Sequence, residues 1–436
     1  MVGRYLARGG VALVAVAMLA ACGGGGGGGD DGGGGSTDKD AFSGRGPVTY
    51  ATGKDTSGNQ QNQVDAWNKS HPDEKVRIVE LPESADAQRQ QMVQNAQTKS
   101  KEYGILSLDV VWTAEFAANR WVLPIPKDEV DTEAFLKPTI TSATYRGNMY
   151  AVPNFSDGAL LYYRSDLLKK AKVAEPPKTW DEMKAACDKV LALPEGKGMS
   201  CYAGQFDKYE GLTCNFSEAI NSAGGAVLDD SGKPDVNTPE AKAGLDFLVN
   251  GIKSKEFPKA SVTYQEEPSR RAFQSGDLVF MRNWPYANAL MNKESASKVK
   301  GGKFAMAPIP GQDGPGVSTL GGHNLAVSAF AENKATALDF ITFLTSEERQ
   351  RANLVATSQA PTRSGLYDDP ALVKKFPHLP TLKESIETAK PRPQAVKYGD
   401  VTVALQEAAY GAMNGEKTSD QALKDLQAEL EKLITE

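Results

Sequence analysis

Few residues in this chain have the types and spacing that covalent chemistry needs. Only three histidines occur in 436 residues, and no CxxC, HExxH or Cys/His cluster offers metal-ligand spacing. GxSxG and Walker A sequences are missing, and GxGxxG occurs only inside a glycine tract near the N-terminus. Acid pairs do occur, Glu266-Glu267 among them, and two carboxylates flanking a scissile bond can hydrolyse a glycoside. Read as extended chain, adjacent residues point to opposite faces, so this pair makes a poor acid/base couple. Acids near aromatics in a cleft serve equally to hold sugar hydroxyls. The pattern predicts no catalytic set, no metal and no cofactor.

A second chemical signal is the stretch Phe280-Met281-Arg282-Asn283-Trp284-Pro285-Tyr286-Ala287. Gly276-Asp277 reads as a turn and 278–281 as a short apolar strand. Pro285 has no N–H to give a ladder and restricts the residue before it, so the strand must end there. Trp284 and Tyr286 are then held at a strand end, where rings can face a cleft. A tryptophan taken alone is more often packing than a binding surface. What decides is the scaffold around it.

That scaffold reads as alternating strands and helices from about residue 45. Strands are expected at 48–51, 76–81 and 108–112, with helices around Val64 and Trp67 and over 88–98. Continuous apolar strands alternating with helices predict a mainly parallel sheet covered on both faces. Ligands bind such sheets beyond the C-terminal strand ends, which puts the loop 53–58 and the segment 113–115 on the functional edge. A turn at Gly147 leads into a strand broken by Pro153, and Asn154 and Asp157 precede another strand at 160–163. Thr179 with Glu182 forms a capping box for a helix over 180–193, and Thr238-Pro239 starts another. A strand at 304–308, a helix at 335–344 and two C-terminal helices, 400–413 and 419–435, complete the pattern. Leu423, Leu426, Leu430 and Leu433 give the last helix a core-facing stripe.

The N-terminus reads as an address. Arg4 and Arg8 precede an apolar segment, 11–19, too short to span a bilayer, and Leu19-Ala20-Ala21-Cys22 follows. Small residues before a cysteine resemble the lipobox of bacterial lipoproteins, in which the cysteine is lipidated. Residues 23–35 are nearly all glycine, a flexible tether that cannot form a core. The sequence thus divides into a signal peptide (1–21) and a lipidated Cys22 with its tether (22–44), placing the folded part outside the cytoplasm, lipid-anchored to the membrane. Formal charge is −6, about −8 once 1–21 are gone, and no basic stripe appears, so nucleic acid is not an expected partner. Cys187 on a helix and Cys201 on the strand after it suit a disulfide in an oxidising compartment, leaving Cys214 as a buried thiol. Pairing of Cys201 with Cys214 is the alternative.

Several ordered segments are similar to the family 1 extracellular solute-binding proteins, the sugar-binding lipoproteins of ABC importers. They are LDVVWTAEF at 108–116, GNMYAVPNFSDGALLYYRSDLL at 147–168, YEGLTCNFSEAINSAGG at 209–225, FQSGDLVFMRNWPYA at 273–287, GGHNLAV at 321–327 and PTRSGLYDDP at 361–370. Within that family the chain most resembles trehalose/maltose-type binders. The resemblance implies a two-lobed α/β fold of the periplasmic-binding-protein type II, closing on a sugar between the lobes. Lobe 1 would hold 45–155 and 306–360, and lobe 2 would hold 156–305 and 361–436, with a helical C-terminus.

By the same resemblance, Trp284 stacks on a pyranose with Tyr286 beside it. Glu115, Asn154, Asp157, Gln205, Tyr209, Glu210 and Glu266 are the polar cleft positions. Gly321-Gly322 lets the backbone approach a hydroxyl, and Arg392, between two prolines, reaches the sugar. The implied partners are a disaccharide, trehalose or a related α-glucoside first, and the permease subunits of an ABC transporter. The protein would be a monomer and no enzyme. The competing readings are a surface glycoside hydrolase or lyase, a binder of maltose, maltooligosaccharides or another sugar, and an adhesin holding a larger glycan.

Overall fold

The strands at Val48–Gly53 (β1), Val76–Leu81 (β2), Ile105–Asp109 (β3), Thr144–Tyr145 (β4), Asn148–Met149 (β5), Val152–Asp157 (β6), Leu160–Tyr163 (β7), Ser200–Ala203 (β8), Leu278–Asn283 (β9), Ala305–Pro308 (β10) and Gly321–Val327 (β11) form two main sheets and one small hairpin. The structure, a computed structural model, describes residues 41–434. The expectations for the signal peptide, Cys22 and the tether lie outside those residues. The first sheet has the order β2-β1-β3-β11-β6, with β1 parallel to β2 and β3, and β11 antiparallel to both β3 and β6. The second has the order β10-β7-β9-β8, parallel only between β8 and β9. This is the two-lobed α/β architecture that the resemblance implied, but the expected mainly parallel sheet does not form. Only β1–β2, β1–β3 and β8–β9 pair parallel in the two main sheets, because β6, β7 and β11, the strands beside the crossings, run antiparallel to their neighbours.

The apolar faces explain the layers. Val48, Tyr50, Ile105 and Leu325 of the first sheet pack on Val64 and Trp67 of the helix Gln60–Ser70 and on Phe340 of the helix Lys334–Leu344. The second core joins Leu161, Cys201 and Val279 to the helices Trp180–Leu191, Glu210–Ser222, Pro239–Ser254, Tyr398–Met413 and Ser419–Ile434. The capping box at Thr179–Glu182 forms, and Leu423, Leu426 and Leu430 are buried on the last helix. Cys187 and Cys201 are disulfide-bonded with Cα atoms 5.4 Å apart, and Cys214 is a buried free thiol.

The chain passes between the sheets in short steps. β6 ends at Asp157 and β7 begins at Leu160, so only Gly158 and Ala159 separate the sheets there. The return runs from Pro308 to Gly321. The expected division at 155/156 and 305/306 therefore shifts, because Ser156 and Asp157 still pair with β11 and Ala305–Pro308 pairs with β7.

Three local readings also change. The third strand is Ile105–Asp109, three residues before the expected run, because Asp109 closes a turn there: its carboxylate accepts from Val111 N at 3.2 Å and its carbonyl from Trp112 N at 2.9 Å. Val110, Val111 and Trp112 are apolar because the turn itself is buried. Pro153 does not break its strand, since β6 is a sheet edge and its register with β11 shifts at His323/Asn324. Glu266-Glu267 is not extended but opens the helix Glu266–Gln274, so both side chains can serve one side.

Candidate ligand-binding site

A cavity of about 240 Å³ lies where the functional edges of the two sheets meet. One water needs only about 10–15 Å³ on the same scale, so this space suits a small organic ligand. From the first sheet its wall takes Thr52, Gly53 and the following loop through Ser57, Asp109 at the end of β3, Asn154, Phe155 and Asp157 of β6, and Gly321, Gly322 and His323 of β11. Facing these are Tyr209, Glu210, Glu266, Glu267, Trp284, Tyr286 and Arg392.

Trp284 is placed from behind by its own strand. Asn283 Oδ1 accepts from Trp284 N at 2.8 Å, while the buried Tyr162 hydroxyl donates to the Trp284 carbonyl at 2.8 Å. The Arg282 guanidinium lies over the indole, 3.6 Å from the ring centroid, a distance at which a cation is attracted to the ring face. Arg282 is itself fixed by Glu218, with Nε to Oε2 at 2.8 Å, and by Gln205 Oε1 at 2.8 Å. A Cβ at Gly321 would stand 3.1 Å from the indole and from Asp157 Cβ, so glycine there lets the first sheet approach the ring closely. Gly322 has φ +108°, and a Cβ would meet the Phe155 carbonyl at 2.3 Å.

The polar groups fall into small networks. The Tyr209 hydroxyl donates to Glu266 at 2.7 Å and the Tyr286 hydroxyl to Glu267 at 2.9 Å. Arg392, 2% exposed, bonds Asp109 through both Nη atoms and Glu210 through Nη1. Its loop is positioned by Thr319 pairing with Lys390 on the return from the second sheet to the first. Arg392 Nε is buried without a partner among the described residues.

Known proteins share this fold. The model of the family described as bacterial extracellular solute-binding protein matches residues 62–381. A "Probable ABC transporter-binding protein" of Deinococcus radiodurans is 34% identical over 378 residues, covering 85% of this chain and 89% of that one. The chain belongs to the bacterial extracellular solute-binding protein family. A mannitol-binding protein of Pseudomonas aeruginosa is 26% identical over 82% of this chain and 86% of its own. Among solved structures, maltose-bound T. maritima MalE3 is similar with a TM-score of 0.84 and 36% identity, over 89% of this chain and all of that one. Members of this family are binding proteins of the extracytoplasmic space rather than enzymes, and the fold is their type II arrangement.

For a solute-binding protein the charge state of the cavity matters. Burial pushes Asp157 up to about 7, opposed by Arg282 and reinforced by Asp109 and Glu266. Glu210 is likewise raised to about 7, burial outweighing the Arg392 charge. Burial also raises Glu266, against the Tyr209 hydroxyl, and lowers His323, which favours its neutral form.

Of the site residues expected from sequence, the cavity wall includes Asn154, Asp157, Tyr209, Glu210, Glu266, Trp284, Tyr286, Gly321, Gly322 and Arg392. Two lie elsewhere. Glu115 is on the helix Thr113–Ala118 and pairs with Arg89, Nε to Oε2 at 2.8 Å. Gln205 is fully buried one layer behind the wall, where it braces Arg282 and bonds Ser269 Oγ at 2.8 Å. Sequence reasoning missed Asp109, Glu267 and Arg282. Asp109 was hidden inside a run read as uninterrupted strand, and Arg282 inside the strand that leads to Trp284.

Proposed function

We propose that this protein captures a disaccharide outside the cytoplasm and delivers it to the permease of an ABC transporter. The observation that carries the reading is Trp284: an indole with a guanidinium against it, lining a cavity whose wall also offers carboxylates and glycine backbone. A pyranose has an apolar C–H face for such a ring and a rim of hydroxyls for such acceptors and donors. Arg392, Asp157, Glu266, Tyr209 and the Gly321-Gly322 backbone take the hydroxyls, and Asn154, Glu210 and Tyr286 complete the shell. Closure of lobes, roughly 45–157 with 309–360 and 158–308 with 361–436, excludes water and strengthens these bonds.

Trehalose or a related α-glucoside is the ligand proposed first. Maltose is the second reading, favoured by the maltose held by the similar T. maritima protein. Lipidation at Cys22 and the glycine tether would keep the monomeric protein at the outer face of the membrane, near its permease. Calorimetry of the full-length protein in detergent, with trehalose, maltose, sucrose and glucose, tests this. Tight binding of one disaccharide with no released reducing sugar supports it; hydrolysis, or no binding of any small sugar, overturns it.

A further inference from the structure

The charge around the cavity is one-sided. Among the described residues its wall carries seven acids but only two cationic side chains, Lys54 and Arg392, since burial favours neutral His323. Both bases are already engaged: Lys54 pairs with Glu83 at 3.3 Å, and Arg392 is shared by Asp109 and Glu210. Glu267 is held by Arg270 at 2.7 Å. Asp55 is satisfied by its own loop, accepting from the backbone N–H groups of Ser57, Gly58 and Gln60.

Asp157 and Glu266 are different. Asp157 has no side-chain hydrogen bond or ion pair among the described residues, although it feels Arg282, Asp109 and Glu266. Glu266 has only neutral partners, the Tyr209 hydroxyl at 2.7 Å and the Trp284 side chain. Arg282, the cation that both acids feel, is committed to Glu218 and lies against the indole. Two carboxylates therefore stand at the tryptophan end with no cation of their own.

We infer that the cavity sorts sugars by charge, taking neutral glycosides and rejecting those that carry a phosphate or a carboxylate. This rests on the sugar reading above and adds the charge of the ligand to it. A hydroxyl placed by Asp157 or Glu266 donates a proton and relieves an unmet acceptor. Above about pH 7, where Asp157 is ionised, an anionic substituent finds no uncommitted cation and meets like charge in a cleft whose walls focus the field.

The test compares four ligands on the full-length protein by calorimetry at about pH 8, where Asp157 is ionised: the neutral disaccharide that binds, its 6-phosphate, its uronic acid analogue and its 6-O-methyl ether. The methyl ether controls for bulk. The anionic pair should bind about 100-fold or more weakly than the methyl ether, since like-charge juxtaposition costs several kcal/mol. Carrying Asp157→Asn with Glu266→Gln should narrow that gap by about tenfold or more, whatever happens to neutral affinity. Should the variant not fold, raising salt from about 0.05 to about 0.5 M on the unmodified protein should strengthen anionic binding relative to neutral binding. Anionic ligands within about threefold of the methyl ether, or a gap indifferent to both variant and salt, overturn the inference while leaving the sugar reading intact. Failure of trehalose, maltose and sucrose alike to bind instead overturns the sugar reading, and this inference with it.

Discussion

Asp109 and Glu210 share a single guanidinium across the two sheets. Asp109 ends β3 of the first sheet and Glu210 opens a helix of the second core, and Arg392 bonds both while the Thr402 hydroxyl holds Glu210 at 2.8 Å. All three ionic groups are largely buried, at 2% exposure for Arg392, 3% for Glu210 and 9% for Asp109. The arrangement ties a strand end on one side of the cavity to a helix start on the other through a loop between two prolines.

Removing that cation should leave two carboxylates buried without compensation. Arg392→Met is expected to cost about 3–5 kcal/mol of stability in urea unfolding. Adding Asp109→Asn and Glu210→Gln to it should recover much of the loss, because the repulsion disappears with the charges. A cost under about 1 kcal/mol would mean that water reaches and screens the trio.

Trp284 does two jobs, so its replacement must be chosen with care. It packs with Ala159, Cys214 and Ile309 in a small apolar cluster as well as lining the cavity. Trp284→Ala would open a void and lower stability along with binding. Trp284→Leu keeps more of the volume and removes the aromatic face. It should weaken sugar binding by about 30-fold or more, the scale of a central aromatic anchor, with a smaller shift in the melting midpoint than the alanine variant. Unchanged affinity would show that no sugar ring lies on this indole.

The sequence was most legible where one physical signal acts alone. The capping box at Thr179, the strand end before Pro285 and the leucine stripe of the last helix each act locally, and each appears as expected. Asp109 was not legible because burial and strand formation both select apolar residues. Val110, Val111 and Trp112 are apolar for burial in a turn, so the run looked like more strand. Glu266-Glu267 misled for a related reason: two acids before Pro268 suit a helix first turn as well as an extended segment. Gln205 shows the limit for site residues. Whether a polar side chain faces the ligand or braces the residue that does depends on one layer of packing, here its bond to Arg282.

The Cys187–Cys201 disulfide joins the helix Trp180–Leu191 to β8, closing a loop with a sequence separation of 14. Loop-closure entropy for that length corresponds to about 3 kcal/mol. Cys187→Ser with Cys201→Ser should lower the unfolding free energy by about that amount, and the unmodified protein should lose it in reductant. Since neither cysteine lines the cavity, sugar affinity measured well below the melting temperature should stay within about twofold. Reductant without effect on stability would argue that the bond does not constrain the unfolded chain.

The two carboxyls raised to about 7 predict opposite pH responses for stability and for binding. Asp157 and Glu210 are both pushed up to about 7 by burial, so the folded protein holds protons that the unfolded chain releases near pH 4. Their contribution to stability is full below the ordinary carboxylate range and is lost as pH rises through about 7. His378, lowered to about 4 by burial, works the other way, contributing above its ordinary range and losing that as pH falls. The comparison is therefore between the unmodified protein and Asp157→Asn: the stabilisation on passing from about pH 8 to about pH 5.5 should be smaller in the variant, which lacks one of the two carboxyls raised to about 7. Binding has the reverse sign. A ligand hydroxyl is better accepted by ionised Asp157, so affinity should fall as pH drops below about 7. Near that pH the sugar should expel protons, detected by calorimetry in buffers of different ionisation enthalpy. Asp157→Asn should reduce the number released. Proton uptake on binding, or release unaltered by that variant, would exclude Asp157 as the group that meets the ligand.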